Sequence, residues 1–466
     1  MSHTTIVLLT LIAYKVLLLG IGFWALRRVK TDSDFFLAGQ GLGAWTAGLS
    51  YAASTSSAWV LLGFTGAVFT RGTVALWLIP GIFMGYVMTW LVMGPRLHRD
   101  TTERSHITII DFIISDVAQK WQKRIARIAA LMILFCFVFY ISSQFQAAGN
   151  ALGTIFGMDP TKAILLGALI IIIYCLMGGF WAASLTDAVQ AFIMLIACLL
   201  VPIATLQAAG GLGNVMDHLH THEAQSFLRF TGESAGFAGM GVAMGLFGTG
   251  LGALGQPQLL NRIMAAKDRR TRLQGASITI GWGIIIYSGL ITLAFSARAL
   301  KLDTGGESLF FAAAQAYLPA VLAGIVTAAI LSAVMSTVDS LLLAAASSVS
   351  HDMKLPMITP QTALVYGRIA MMSIAILAVL MTLYLPEDIF SRVLFSWVAL
   401  GAAFGPTLLT KCLGWRVKGS AICLAILSGF FIAIISANID GTFADMVEKW
   451  GSWIVGLILL YAGRRR

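Results

Sequence analysis

The sequence predicts an all-α integral membrane protein, and three observations carry that prediction. Only 11% of the 466 residues are charged, while 58% are hydrophobic. The apolar residues gather in runs long enough to cross a bilayer. Two of those runs are unfit to be continuous helices.

A water-soluble domain has about a quarter of its residues charged. A surface facing water cannot be built from so few charges, so most of this surface faces lipid. The net charge of +10 is no sign of nucleic acid. Lys and Arg fall mostly in short segments between apolar runs, where they orient a chain in a membrane. Cys136, Cys175, Cys198, Cys412 and Cys423 lie in or beside apolar runs and form no CxxC pair. They are expected to be reduced thiols with no metal or disulfide role.

A span takes about 20 apolar residues. By that ruler about thirteen spans are expected, at 5–27, 43–70, 73–95, 125–152, 161–179, 182–208, 236–263, 273–299, 319–349, 364–385, 388–411, 418–437 and 446–463. The first is followed by RRVK and lacks a clear cleavage site, which predicts a retained helix. The stretch 105–118 is too short to cross and predicts an interfacial amphipathic helix. No Pro-rich or Ser-rich linker interrupts the chain, so a single transmembrane domain is expected.

Positive charge places the N-terminus outside and the C-terminus in the cytoplasm, as in a multi-pass protein of the cell (inner) membrane. The inner segments then hold Arg27, Arg28, Lys30, the basic cluster of 96–127, KDRRTR at 267–272, Lys354, Lys411, Arg416, Lys418 and the terminal RRR. The exception is Lys15, midway along the first run, for which snorkelling or pairing within the bundle is expected.

The two unfit runs are SYAASTSSAWVLLGFTGAVF, with five Ser/Thr between 50 and 57, and GMGVAMGLFGTGLGALGQPQLL, with seven Gly between 239 and 255 followed by Pro257. Gly costs about 1 kcal/mol in a helix interior and Pro about 3. Broken backbone survives at mid-membrane only where it lines a cavity. The runs are the second and seventh, so they head two consecutive sets of five. Interrupted helices in corresponding positions point to a five-plus-five inverted repeat with substrate and ion at the midplane. The alternative is that small residues merely allow close helix packing.

The ninth run contains AVMSTVDS at 333–340. Ala333, Ser336, Thr337 and Ser340 share one helical face. Hydroxyl and carbonyl oxygens are hard ligands suited to an alkali cation; interhelical hydrogen bonding is the other use of such a stripe. Two intramembrane carboxylates accompany it. Asp187 lies about 9 Å and Asp339 about 15 Å from the inner ends of their runs, at 1.5 Å per residue. A buried carboxylate is paired, protonated or bound to a cation. Asp187 has no basic residue near it in sequence, so a cation-exit path past it is one reading and a helix-packing hydrogen bond the other.

These stretches, together with DFFLAGQGLG at 34–43, GMDPTKAILLGALIIIIYCLMGGFWAASLTDAVQAF at 157–192, GQPQLLNRIMAA at 255–266 and GAAFGP at 401–406, make the chain resemble the solute:sodium symporter family, most of all its proline-carrying bacterial branch. The resemblance covers nearly the whole chain. It implies a LeuT-type inverted repeat, with 5–27 an extra N-terminal helix, 43–208 the first repeat, 236–385 the second, and 388–463 the remaining helices, the first of them assignable to the second repeat.

The resemblance further implies a sodium (Na+) site made by the carbonyls of Ala53, Ser56 and Ala333 and the hydroxyls of Ser336 and Thr337. A second ion would map to Asp187, Ser336, Asp339 and Ser340, where Asp339 replaces a serine and could instead hold a proton. Thr55 stands in place of an aspartate of the proline carriers, Gln40 in place of an arginine, and Thr249 and Ala253 in place of a Trp and a Tyr that contact substrate. Tyr140 is retained, followed by Ser142, Ser143 and Gln144. A roomier, more polar pocket than a proline site is expected, with Ser57, Trp59 and Phe247 as further lining candidates.

The expected function is import of a small organic solute, amino acid or carboxylate-like, driven by sodium through alternating access. Helix ends freed at the breaks would offer N–H donors to a carboxylate. Proton coupling through Asp187 and Asp339 and a transporter-like sensor are the alternatives. No His or Cys stands with a base at active-site spacing, so no enzyme is expected, and neither is nucleic acid nor an obligatory protein partner.

Overall fold

The computed structural model describes residues 3–26, 32–177, 179–353, 362–385 and 388–465. Arg27, Arg28, Lys30, Lys354 and Arg466, on which part of the expected orientation rests, lie outside the described residues. Apart from two isolated bridges, the regular structure among the described residues is helical. The helices that matter below are α1 (His3–Leu26), α2 (Ala44–Thr55), α3 (Thr65–Arg71), α4 (Leu78–Val87), α5 (Ile109–Ile114), α6 (Gln119–Phe156), α7 (Pro160–Met177), α8 (Phe180–Ala208), α9 (Gly236–Gly248), α10 (Pro257–Met264), α11 (Arg269–Ala299), α12 (Ala320–Ser347), α13 (Ala363–Tyr384), α14 (Ile389–Cys412), α15 (Gly419–Ala437) and α16 (Ser452–Ala462).

Ten helices among the described residues are long and apolar enough to cross a membrane. Three places separate this number from the thirteen expected runs. The runs at 43–70 and 73–95 join through helical turns at Gly72, whose φ of 71° brings it against Phe227; a Cβ there would lie 2.0 Å from the Phe227 carbonyl oxygen. The run at 161–179 forms a shorter apolar helix. The run at 446–463 is divided by a π-helical turn at Val447–Gly451.

Both expected interruptions are present. Helix α2 stops at Thr55, Ser56 leaves helical geometry at φ −97°, ψ 61°, and the chain resumes as a π-helical turn, Trp59–Phe64, before α3. Helix α9 tightens into a 3₁₀ segment, Thr249–Gly255; Gln256 is extended and Pro257 opens α10, where its missing N–H costs nothing. The glycines of this run also serve packing. A Cβ on Gly250 would lie 1.8 Å from the Gly81 carbonyl oxygen, and one on Gly252 would lie 1.9 Å from the Trp397 ring. Close approach and backbone interruption thus share the same residues. In lipid, such close contact is what holds helices together, since hydrocarbon is as apolar as leucine.

The Ser/Thr-bearing α12 is central. Its apolar window is 83% buried, as is that of α14, against 22% for α1 and 33% for α13. Helix α12 packs on α1, α2, α6, α8 and α13, while α2 also packs on α8 and α11. One expectation fails at the rim. Helix α5 does not leave its apolar face free for lipid: five of its six residues are buried in protein, its N-terminus is closed by a Thr108–Asp111 capping box, and Lys411 Nζ donates to the Ile113 carbonyl at 3.2 Å. The five cysteines are free thiols, four of them buried. Lys15 is half-buried, in contact with Met335 Sδ and 5.6 Å from the Tyr14 ring centroid, with no ion pair to a carboxylate among the described residues.

Candidate functional site

The break after α2 is filled from α6. The Ala58 N–H donates to Gln144 Oε1 at 3.2 Å, and Gln144 Nε2 donates to Ser143 Oγ at 3.0 Å. Ser143 Oγ in turn donates to the Tyr140 carbonyl at 2.7 Å. Ser57 Oγ accepts from the Tyr140 hydroxyl at 3.4 Å and from the Trp59 N–H at 3.3 Å. Five expected solute-lining residues, Ser57, Trp59, Tyr140, Ser143 and Gln144, therefore form one buried cluster. Thr55 bonds back to the Tyr51 carbonyl at 2.7 Å.

Three buried polar atoms at the breaks have no hydrogen-bond partner: Ser56 Oγ, the Trp59 indole N–H and Thr249 Oγ1. Buried polar groups are nearly always paired, so these three atoms are free to meet a ligand at the breaks. The Thr249 carbonyl accepts from the Trp397 indole at 3.0 Å, which fixes the 3₁₀ segment against α14. Phe247 and Ala253 stand outside the cluster. Phe247 stacks on Trp450 with ring centroids 6.1 Å apart, and Ala253 faces Gly85 of α4. The helical turns at 247–253 point these side chains toward the last helices and α4, which sequence spacing alone could not orient.

Beside the break, α2 meets α12. Ser336 Oγ donates to the Ala53 carbonyl at 3.4 Å and to the Ala333 carbonyl at 3.2 Å; Thr337 Oγ1 donates to the Ala333 carbonyl at 2.9 Å. All four residues are buried, and Ser56 stands at the end of the same α2 segment. The set offers neutral carbonyl and hydroxyl oxygens, the donor type hard cations take.

One turn along α12 the chemistry changes. Asp187 Oδ2 accepts from Ser50 Oγ at 2.7 Å and from the Arg262 guanidinium at 2.9 Å. Arg262 Nε donates to Ser50 Oγ at 3.0 Å, a terminal N–H reaches Ser340 Oγ, and another donates to the Gln258 carbonyl at 2.5 Å. Ser340 Oγ also lies 2.9 Å from Ser54 Oγ. Arg262 and Asp187 are wholly enclosed, and the guanidinium lies over the Phe180 ring at 4.9 Å.

No basic residue lies near Asp187 in sequence, and the fold supplies one from a distance. Arg262 is 75 residues away in sequence but sits on α10, which the second break folds against α2. Arg262 stands inside the motif GQPQLLNRIMAA, near the end of the apolar run 236–263. The available signal was that an ionisable residue within a span is a functional candidate by default. Of the four residues expected to hold a second ion, Asp187 and Ser340 share the guanidinium. Asp339 joins neither by a hydrogen bond; it borders a small cavity with Phe23, Tyr174 and Ala183, and its Oδ1 is unpartnered.

Comparison with known proteins accords with this geometry. The sequence model of the sodium:solute symporter family matches residues 35–429. The chain is 30% identical over 431 residues to the high-affinity proline transporter PutP of Bacillus subtilis (strain 168), covering 90% of each protein. It is 30% identical over 450 residues to the sodium/proline symporter of Escherichia coli (strain K12), covering 93% of this chain and 88% of the relative. Among solved structures, a Na+-coupled sialic acid symporter in a substrate-bound outward-open state superposes with a TM-score of 0.81 at 17% identity, covering 99% and 98% of the two chains. MhsT in complex with L-phenylalanine superposes with a TM-score of 0.56 at 16% identity, over 90% and 98%. The fold is thus the LeuT type, and by the extent of the sequence match the chain belongs to the sodium:solute symporter family.

Proposed function

We propose that this protein imports a small organic solute, amino acid or carboxylate-like, with one Na+ bound where α2 meets α12. The observation that carries the reading is the Ser336–Ala53 contact. It joins the stripe helix to the carbonyl end of the first break, between elements that alternating access would separate. Ala53, Ser56, Ala333, Ser336 and Thr337 are the proposed ligands. The solute would lie in the break cluster against Ser57, Trp59, Tyr140, Ser143 and Gln144, with Thr55 and Thr249 beside it.

The named relatives carry proline. Thr55, Thr249 and Ala253 depart from those carriers, which favours a different and more polar solute. Phe247 and Ala253 would act at one remove, through the packing of the 3₁₀ segment.

The Arg262 guanidinium supports a single coupling ion. It supplies fixed positive charge to Asp187 where a second Na+ would otherwise be held. Two cations that close would repel strongly in a low-dielectric interior. Inward release of Na+ would then require Arg262 to shift off Ser340, so Asp187 and Ser340 act as an exit gate. The N-terminus is proposed outside and the C-terminus in the cytoplasm, from the positive-charge distribution.

A second reading, proton coupling, draws on the unpartnered oxygen of Asp339. Counterflow in proteoliposomes over a panel of amino acids and carboxylates, with a sodium gradient or a pH gradient imposed separately, distinguishes the two. Uptake driven by sodium alone is expected. Uptake driven by a pH gradient without sodium would overturn the sodium assignment.

A further inference from the structure

The far end of the stripe helix is fastened to α5. Past Ser340, α12 runs on to Ser347 and continues as a π-helical turn, Ser348–Asp352. Asp352 is about 18 Å beyond Ser340, at 1.5 Å per residue. At this turn His351 Nε2 lies 2.7 Å from Asp111 Oδ2, and Asp352 Oδ1 accepts from Thr108 Oγ1 at 2.7 Å. The same Asp111 oxygen accepts the Ile107 and Thr108 N–H groups at 3.1 and 3.4 Å, so the backbone before α5 fixes the carboxylate that meets the ring. Helix α5 also packs on α10, whose Arg262 holds Asp187 and Ser340. A short bridge thus runs from the end of α12, through α5, to the helix that carries the guanidinium of the exit gate.

Of the pair, only His351 changes charge between about pH 5 and pH 8, the window in which imidazole titrates. Burial pushes the Asp111 carboxyl up, but His351 and the two N–H groups outweigh it and hold it below its ordinary value. It therefore stays a carboxylate throughout. His351 is 34% exposed, which leaves the ring open to protons from water. Protonated, it forms an ion pair with Asp111 and brings positive charge to the carbonyl end of its helix. Neutral, it keeps only a hydrogen bond. Asp352 shares its turn, and Lys354 lies outside the described residues. The elements packed on the turn are α6 and α13. From α6, Arg127 donates to the Met353 carbonyl at 3.4 Å, with Arg124 one turn before it; α13 brings Arg368. His106, at the approach to α5, is pushed below the ordinary imidazole value by burial.

We propose that the Asp111–His351 pair is an acid-strengthened latch on the inner mouth: protonation of His351 fastens α12 to α5, which holds α10 and its Arg262 in the closed gate. Pairing with a carboxylate makes the imidazole keep its proton more tightly. The added strength is fully present below the ordinary imidazole value and is lost as pH rises through the raised one. An acidic inner side slows opening, and a neutral one frees the latch. Its effect on transport rests on the exit-gate reading given above; the bond itself does not.

The test is hydrogen–deuterium exchange of the purified full chain at about pH 5.5 and about pH 8, on either side of the ordinary imidazole value. No sodium or solute is added, and exposure times are scaled for the intrinsic pH dependence of exchange. Protection of 105–118 and 345–353 is expected to be about two- to fivefold higher at the acidic pH, the range of a partly exposed ion pair. Protection of 257–264 is expected to rise with it, and that of 419–437, on α15, to stay level. His351→Gln keeps a hydrogen-bond donor without the charge change and is expected to abolish the rise, as is Asp111→Asn; His106→Gln is expected to leave it intact. If Asp111→Asn unfolds through its capping box, His351→Gln decides. No rise in the wild type, or a rise that survives His351→Gln, would overturn the latch. A rise in 105–118 and 345–353 that is absent from 257–264 would overturn its link to the gate, and would leave the proposed sodium and solute sites untouched.

Discussion

Two stations on α12, one helical turn apart, handle positive charge in opposite ways. At Ser336 and Thr337 the helix faces the Ala53 carbonyl with neutral oxygens alone. At Ser340 it faces a carboxylate that already holds a guanidinium, Asp187 with Arg262. The first station is chemically suited to take up and release a cation. The second carries its cation covalently. A buried ion pair is costly to assemble and far costlier to break, so the second station gives the α2–α8–α10 junction a fixed electrostatic tie, while the first stays weakly charged.

The contrast is broken most sharply by Arg262→Ala. It strands Asp187 in a dry interior and is expected to cost about 3–5 kcal/mol, read as a fall in thermal unfolding temperature of the purified protein. Replacing both partners, Arg262→Met with Asp187→Leu, is expected to recover most of that loss. Full additivity of the two substitutions would contradict the pairing.

Next in size is Ser336→Ala with Thr337→Ala. The fold should tolerate it, because each hydroxyl bonds mainly to carbonyls of its own helix. Sodium, however, should no longer stabilise the protein. For the wild type that stabilisation approaches about 2.7 kcal/mol at a hundredfold excess over Kd. A sodium-dependent shift that survives the double substitution would move the ion elsewhere.

Gln144→Ala tests the solute side. It leaves the Ala58 N–H without its acceptor at the break, at an expected cost of about 1–3 kcal/mol. Gln144→Glu, which keeps an acceptor, should cost less if the hydrogen bond to Ala58 is what matters.

The smallest effect belongs to an ion pair at the surface. Partial burial pushes the Asp116 carboxyl up, but Arg104 and Lys411 outweigh it and bring it from 3.8 down to about 2. A depressed carboxylate contributes its stability above its ordinary value and loses it as pH falls toward the lowered one. Asp116→Asn should therefore destabilise slightly at pH 7, by about 0–1 kcal/mol for so exposed a pair, an effect that fades as pH falls through about 2.

Much of this was legible in the sequence. The two helix breaks were readable because Gly, Pro and Ser/Thr inside apolar runs carry a local cost that needs no tertiary knowledge. The 333–340 stripe was readable from helical spacing. What was not readable depended on which run folds against which. Arg262 meets Asp187 only because α10 turns back after Gln256. Phe247, on the last turn of α9 before the 3₁₀ segment, stacks on Trp450 rather than joining the break cluster. Helix α5 reads as a surface helix by length and pattern, yet the capping box and Lys411 bind it into the protein. The thirteen runs follow hydropathy alone, which cannot place turns such as Gly72 and Val447–Gly451.

Equilibrium binding of radioactive sodium to the purified protein separates the two stations most directly. One ion per chain is expected, lost in Ser336→Ala with Thr337→Ala. Two ions per chain, or one that persists in that double variant, would contradict a sodium site at the α2–α12 junction beside a guanidinium-filled neighbour.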